Sequence, residues 1–309
     1  MTSSPANTAE PKTIAMTGVT GFVGSHIVPK LLEQGYCVRA LVRSPQKLSS
    51  IWRDHSAFEV VQGDLQSDLS DFVQGADCVI HMAGLIKART RNSFMAVNSV
   101  GAENLAIAAH RVGVPKYILL SSMAAREPQL SDYAASKAAG EEATREAFTG
   151  PLTIIRAPAV FGPGDEATKP IFDLIAKGYL PVACGTQDNS KISMIYVEDL
   201  VRFIIAYIQT DSAVRPLEPA TIGAMSWNDF AELCSQALNR PVKVIKLPSF
   251  LITPFAMITS LTLRWFGAGH LTLQKLAEFR HPDWTSADEV DNPTPMITAL
   301  RETAASYER

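Results

Sequence analysis

Tyr133 and Lys137 stand four residues apart in Tyr133-Ala134-Ala135-Ser136-Lys137, so on a helix both side chains project from one face. A phenol ionises near pH ~10 and is a poor base at neutrality. A nearby ammonium favours the phenolate, so Lys137 is expected to lower the Tyr133 pKa towards useful acid–base work. Ser121 and Ser122 end an apolar run that starts at Lys116, and a hydroxyl there can orient a substrate oxygen. Asp132 is placed to cap the helix that carries Tyr133. Tyr-x-x-x-Lys alone is common on solvated helix surfaces. Its place after Ser122 and after a glycine-rich turn makes it a catalytic candidate.

That turn reads Thr17-Gly18-Val19-Thr20-Gly21-Phe22-Val23-Gly24, between an apolar run at 13–17 and an amphipathic pattern at 22–34. Gly18 permits a sharp turn, Gly21 lets a pyrophosphate approach the backbone, and Gly24 lets the helix pack closely. The helix N-terminus, with Thr20, Phe22 and Val23 around it, offers unpaired N–H groups and a positive dipole end to phosphates. Pro29 lies inside this pattern and is expected to bend the helix. The second run ends Ala40-Leu41-Val42-Arg43-Ser44. An NAD site usually places Asp or Glu about 20 residues past the glycines. Here Arg43 takes that place and no acid follows until Asp54. A guanidinium pairs with a 2′-phosphate, so NADP(H) is preferred over NAD(H). Asp64 and Leu65 follow the third run, where a side chain can meet the adenine edge. In His81-Met82-Ala83-Gly84, the small Ala83 and Gly84 let a cofactor lie against the backbone. His81 itself reads as a satisfied histidine at a strand end.

The elements that position these residues alternate. Short β-branched runs at 13–17, 38–42, 58–62, 78–82, 116–121 and 152–156 suit strands buried on both faces of a parallel sheet. Helical patterns at 22–34, 68–73, 93–112 and 133–148 lie between them. The fold class is therefore α/β: a Rossmann-type doubly wound parallel sheet with a smaller C-terminal α/β substrate domain. Residues 1–12 read as a flexible tail and 13–165 as the dinucleotide-binding domain. Residues 166–309 make mainly the substrate domain, with the chain returning to the sheet near 190–210. In that half, 170–177 and 197–208 read as helices, and 192–196 and 242–247 as strands. Ser226 and Asp229 form a capping box opening a helix at 227–238.

Composition narrows the function. The 309 residues are 47% hydrophobic and 19% charged, enough for a large core and against disorder. A net charge of −3 argues against a nucleic-acid partner. Cys37, Cys78, Cys184 and Cys234 are scattered, which signals neither a metal site nor a disulfide scaffold. With no apolar leader at the start, the setting is expected to be reducing and cytoplasmic.

The motifs together resemble the extended short-chain dehydrogenases/reductases, the NAD(P)-dependent epimerase/dehydratase group. TGVTGFVG (17–24), GDL (63–65), HMAG (81–84), VNSVGAENL (97–105), LLSS (119–122), YAASK (133–137), RAPAVFGPGD (156–165) and YVEDL (196–200) run in that family's order. The resemblance implies that Tyr133 is the general acid/base and that Lys137 holds the nicotinamide ribose. It implies that Ser122 polarises the substrate oxygen, while Ser121 and the segment Pro158 to Val160 line the nicotinamide. Asn98 is expected to support the sheet. Only eleven positions separate Ser122 from Tyr133, and 190–195 reads SKISMI in place of an Arg-Asp-Phe-like run. Both features point away from nucleotide sugars, and the end of the second run resembles reductases related to dihydroflavonol reductases and 3β-hydroxysteroid dehydrogenases. It also resembles the branch of the 39-kDa subunit of respiratory complex I.

Residues 250–266, FLITPFAMITSLTLRWF, are strongly apolar but interrupted by Pro254 and Arg264, and too short for a confident membrane span. They read as a helix roofing an apolar substrate pocket, with peripheral membrane contact as the alternative. The expected activity is interconversion of a secondary alcohol and a ketone on a small or medium apolar molecule. The alternatives are an epimerase or dehydratase that returns the hydride, and a non-catalytic NADP(H)-binding assembly or sensor subunit. A homodimer is a further expectation.

Overall fold

Apolar runs without polar alternation must be covered on both faces, and the chain achieves this with six parallel strands. The computed structural model describes residues 12–183, 190–210, 213–266 and 272–307. Most of the expected tail, and Cys184, lie outside them. The strands are β1 (Thr13–Thr17), β2 (Cys37–Val42), β3 (Phe58–Gln62), β4 (Cys78–His81), β5 (Tyr117–Ser122) and β6 (Leu152–Ala157). Their order is β3-β2-β1-β4-β5-β6. The direction of winding reverses between β1 and β4, which leaves a crevice at their carboxyl ends, where such sheets take ligands.

Alternate residues of β1 enter different cores. Ile14 and Met16 meet Ile27, Val28 and Leu31 of α1 (Phe22–Glu33), which runs on through Pro29. Ala15 faces the other side with Phe72 of α3 (Ser70–Val73). Short α2 (Ser50–Arg53) lies before β3. The single helix expected at 93–112 runs without a break over 91–111, as α4 (Arg91–Met95), a π-helical turn at Ala96–Val100 and α5 (Gly101–Arg111). The π turn holds Asn98, which is buried, and such turns often occur at functional sites. The sixth helix, α6 (Asp132–Ala147), packs against it, and a Cβ on Gly140 would lie 2.0 Å from the Asn98 carbonyl oxygen.

The second half has its own core around Phe161, Phe172, Tyr196, Phe230 and Leu300. It contains β7 (Ala159–Phe161), α7 (Lys169–Ile175), β8 (Tyr179–Ala183), β9 (Ile192–Tyr196) and α8 (Val197–Gln209). Then come β10 (Pro219–Ala220), β11 (Ile222–Met225), α9 (Trp227–Leu238) and β12 (Lys243–Leu247). The chain closes with α10 (Ser249–Phe266), α11 (Leu273–Arg280), β13 (Asp288–Glu289) and α12 (Met296–Tyr307). The Ser226–Asp229 capping box forms as expected. Helix α8 returns to the main sheet through Leu200, Val201 and Ile204. Strand β9 does not join that sheet; it pairs with β7 and β11.

Candidate active site

Strand β5 delivers Ser122 to the open end of the sheet, and α6 begins ten residues later. The cap of α6 is Ser131 and not Asp132: Ser131 Oγ accepts from the Ala134 amide at 2.9 Å. Asp132 sits in the first turn, where it accepts from Gln274 at 3.0 Å. Ser131 in turn donates to the buried Glu278 of α11.

Ser122 Oγ accepts from the Ala124 amide at 3.2 Å, which fixes its side chain at the strand end. Its interaction with the Tyr133 hydroxyl pulls the phenol pKa down. Burial acts more strongly in the other direction, the charge of Glu278 adds to it, and the phenol is pushed up to about 12. This differs from the expectation that Lys137 lowers it. The Lys137 ammonium is directed to the Leu120 carbonyl, 2.9 Å away, and burial lowers its own pKa to about 8 against the opposing pull of Glu141. The phenol therefore keeps its proton at neutral pH.

Behind the three residues lies a charge network that sequence reasoning missed. Glu141, 1% exposed, accepts from Ser121 Oγ at 2.6 Å and from Arg156 Nε and Nη2 at 2.9 and 2.7 Å. Glu141 is four residues past Lys137, and that spacing was a legible signal. Arg156 also faces Glu218 at 3.6 Å, and Glu218 faces Arg126 at 3.4 Å. The Ser121 side chain is thus committed to Glu141. Pro158 and Val160, on the other expected lining segment, are half-buried, and Val160 packs between the cores of the two halves.

The glycine turn fits a pyrophosphate. Gly18 has φ +79°, and a Cβ there would stand 2.7 Å from the Ala83 nitrogen. A Cβ on Gly24 would stand 2.2 Å from the Gly18 carbonyl oxygen. Gly21 and Thr20 are exposed, and α1 starts with no side-chain cap and no acid in its first turn. An uncapped positive helix end above a cradle without side chains is what an anion requires. Phe22 and Val23 begin that helix, with the Phe22 ring edge-on to His26. Thr17 Oγ1 accepts from the Met82 and Ala83 amides at 3.2 and 3.1 Å and bonds His81 Nδ1 at 2.6 Å. Burial, with the charge of Lys137 second, brings the His81 pKa down to about 3, so it is the neutral, satisfied histidine expected.

Gly84 ties the two regions together. A Cβ there would be 3.2 Å from Asn98 Oδ1 and 3.9 Å from Lys137 Nζ. Asn98 accepts from the Leu85 amide at 2.7 Å and donates to the Leu85 carbonyl and Ser136 Oγ, both at 2.9 Å. It is a brace between the Leu85 loop and α6, where support of the sheet was expected. Arg43 is exposed at the end of β2, and its charge reaches Asp64. The Asp64 carboxyl is held below the usual range by the Gln66 amide and Ser67 hydroxyl first, with Arg43 a smaller contribution. The Leu65 side chain is buried, beside Gly101.

The sequence profile of the NAD dependent epimerase/dehydratase family matches residues 14–223, from β1 through the return helix and into β11. The chain belongs to that family. It is an NAD(P)-dependent enzyme of the extended short-chain dehydrogenase/reductase type. A ceramide reductase of Caulobacter vibrioides is 38% identical over 276 residues, covering 88% of this chain and 85% of that protein. A 3 beta-hydroxysteroid dehydrogenase/Delta 5-->4-isomerase of Mycobacterium tuberculosis is 30% identical, over 64% of this chain and 61% of its own length. Among solved structures, a UDP-glucuronic acid 4-epimerase from Bacillus cereus in complex with NAD has a TM-score of 0.69. It is 17% identical, covers 96% of both chains, and shows the shared fold.

Proposed function

We propose that this family member is an NADP(H)-preferring reductase that converts a ketone on a ceramide-type, long-chain lipid into a secondary alcohol. What supports the direction is the 38% identical ceramide reductase. Tyr133 carries its proton at neutral pH, as a phenol does, and interacts with Ser122, so it has a proton to give to a developing alkoxide. The substrate class comes from the 38% identical ceramide reductase, and Arg43 supports the preference for the 2′-phosphate.

A nicotinamide cofactor held by the glycine turn and the N-terminus of α1 would supply the hydride. The chain does the rest. Ser122 donates a hydrogen bond to the carbonyl oxygen and orients it. Tyr133 gives that oxygen its proton as negative charge develops. Lys137, anchored on the Leu120 carbonyl, holds the nicotinamide ribose. The glycine turn and the N-terminus of α1 hold the diphosphate.

The test is NADPH consumption with a keto-ceramide, a keto-steroid and a short-chain ketone. The keto-ceramide is expected to be reduced fastest. Tyr133→Phe is expected to lower kcat by about 10²–10⁴-fold with NADPH affinity retained. An unchanged rate in that variant removes Tyr133 from the mechanism. Tightly held cofactor with no net NADPH consumption replaces this reading with an epimerase.

A further inference from the structure

Helix α10 carries apolar side chains on the side that faces water. Phe250, Leu251, Met257 and Ile258 are 74, 57, 52 and 60% exposed, with Pro254 exposed between them. The spacing of 250, 251, 254, 257 and 258 places them on one stripe of the helix. The opposite side is the one that packs: Ile252 and Ala256 are buried with Ala183 of β8, Leu276 of α11 and Leu247 of β12. The helix is therefore apolar on its inner and its outer side. Phe279 and Leu273 of α11 and Ile245 of β12 are also partly exposed. An exposed apolar patch of this extent marks an interaction surface.

Charge identifies what the surface meets. The elements packed against α10 carry exposed cations, Lys243 and Lys246 of β12 and Lys275 of α11, and residues 240–281 contain six Lys and Arg against one acid, Glu278. The whole chain has a net charge of −3, so this basic stretch stands against a strongly acidic remainder. Glu278 is itself occupied by Ser131 and Lys275. Apolar side chains flanked by Lys and Arg suit the boundary of an anionic lipid surface, with the apolar stripe among acyl chains and the cations among headgroups. No helix among the described residues is long and apolar enough to cross a membrane. The appropriate geometry is a helix lying in the plane of the surface.

The position in the fold gives this a purpose. Helix α11 touches α10 on one side, where Arg280 reaches Thr253 at 3.4 Å and the Leu273 amide donates to Ser260 Oγ at 3.0 Å. On its other side it holds the start of the catalytic helix through Glu278–Ser131 and Gln274–Asp132. One helix thus separates the exposed stripe from the element that carries Tyr133.

We propose that α10 and its basic flanks dock this enzyme on an anionic bilayer surface, at the edge of the protein where a lipid substrate must leave the membrane. The purpose rests on the lipid reading above, whereas the docking is measured without substrate. The experiment is co-sedimentation of the full chain with vesicles of phosphatidylcholine alone and of phosphatidylcholine mixed with phosphatidylglycerol. Binding to the mixed vesicles is expected to be at least about tenfold stronger and to fall as salt rises. The double variant Phe250→Ser/Met257→Ser alters only exposed side chains of α10. It is expected to keep the wild-type melting temperature and lose about tenfold or more in vesicle affinity. Absence of binding to mixed vesicles overturns the inference. So does a wild-type dimer that the double variant dissociates, because a second copy would then cover the stripe. Turnover of a short-chain ketone is run alongside. Vesicle binding with no turnover of any ketone leaves docking standing and defeats the reductase reading, and the reverse result defeats docking alone.

Discussion

Glu278 accepts the hydroxyl proton of Ser131 from 147 residues further along the chain, so a buried carboxylate of α11 holds the cap of the helix that carries Tyr133 and Lys137. The same carboxylate raises the pKa of Tyr133 through its charge. One side chain from the C-terminal half therefore both fixes the start of α6 and helps keep the Tyr133 phenol protonated. On the proposed mechanism, the second half of the chain thus takes part in the acid–base chemistry.

Glu278→Gln separates these two effects. The amide oxygen still accepts from Ser131, while the negative charge near Tyr133 is gone. The phenol is expected to titrate at lower pH than in the wild-type protein, seen as an earlier rise of tyrosinate absorbance and checked against Tyr133→Phe. Glu278→Ala removes the cap's partner and frees Lys275 from its 2.8 Å contact. Its cost is about 1–3 kcal/mol, read as a lower denaturation midpoint. Unaltered phenol titration in the Gln variant would mean that the charge of Glu278 does not reach Tyr133.

On the proposed mechanism, Lys137 is expected to set the alkaline limit of the rate. Burial brings its ammonium down to about 8 from an ordinary 10.5, and Glu141 opposes the fall. The charged form is therefore lost just above neutrality, and kcat is expected to decline as pH rises through about 8. The sign for stability is opposite. The unfolded chain binds this proton more tightly than the folded one, so the penalty of burying the ammonium is full below pH 8 and relieved between about 8 and 10.5. Glu141→Gln removes the opposing charge, so the alkaline limb of the rate profile is expected to move to lower pH. A limb that stays in place would show that another group limits the rate.

The sheet and the family were legible in the sequence for one physical reason: both rest on local patterns. β-branched runs define strands buried on both faces, and a glycine turn next to a helix defines an anion site, without any distant contact. The observed β5 and β6 differ from the expected runs by single residues at their ends. What escaped was set by tertiary contacts. The π turn that seats Asn98 has no local signature. The choice of Ser131 over Asp132 as cap follows from a partner on α11. The sign of the Tyr133 shift was misjudged because its burial depends on elements from both halves, whereas the spacing to Lys137 was visible in one pentapeptide. Short strands such as β10 and β13, two residues each, carry too little pattern to be read.

Cofactor choice is tested at Arg43. Its guanidinium makes no hydrogen bond or ion pair among the described residues, and the end of β2 carries no acid to accept a ribose hydroxyl. Arg43→Glu reverses the charge at that place. The Kd for NADPH is expected to rise about 10–100-fold, in line with about 1.5–3 kcal/mol for a charged hydrogen bond, while NADH affinity stays level or improves. Isothermal titration with both nucleotides measures it. Equal weakening towards NADPH and NADH would place Arg43 away from the 2′-phosphate.

Gly140 is where packing and chemistry meet. Alanine is favoured over glycine inside a helix by about 1 kcal/mol, so propensity alone predicts that Gly140→Ala stabilises α6. The steric consequence is larger. The added Cβ would lie 2.0 Å from the Asn98 carbonyl oxygen and 3.1 Å from its carbonyl carbon, and main-chain atoms cannot turn aside as a side-chain tip can. The helices must part, and overpacking of this kind costs about 1–3 kcal/mol or more. Asn98 would carry the shift to Leu85 and Gly84, beside Lys137. The expected outcome is a lower melting temperature together with weaker NADPH binding. Gly101→Ala on α5 is the comparison: its added Cβ would meet side-chain atoms of Leu65, a methyl at 2.8 Å and the Cβ at 3.0 Å, and no main-chain atom closer than 3.5 Å, so its loss of stability is expected to be smaller than at Gly140. If both variants behave alike, the close crossing at Gly140 does not set the position of Asn98.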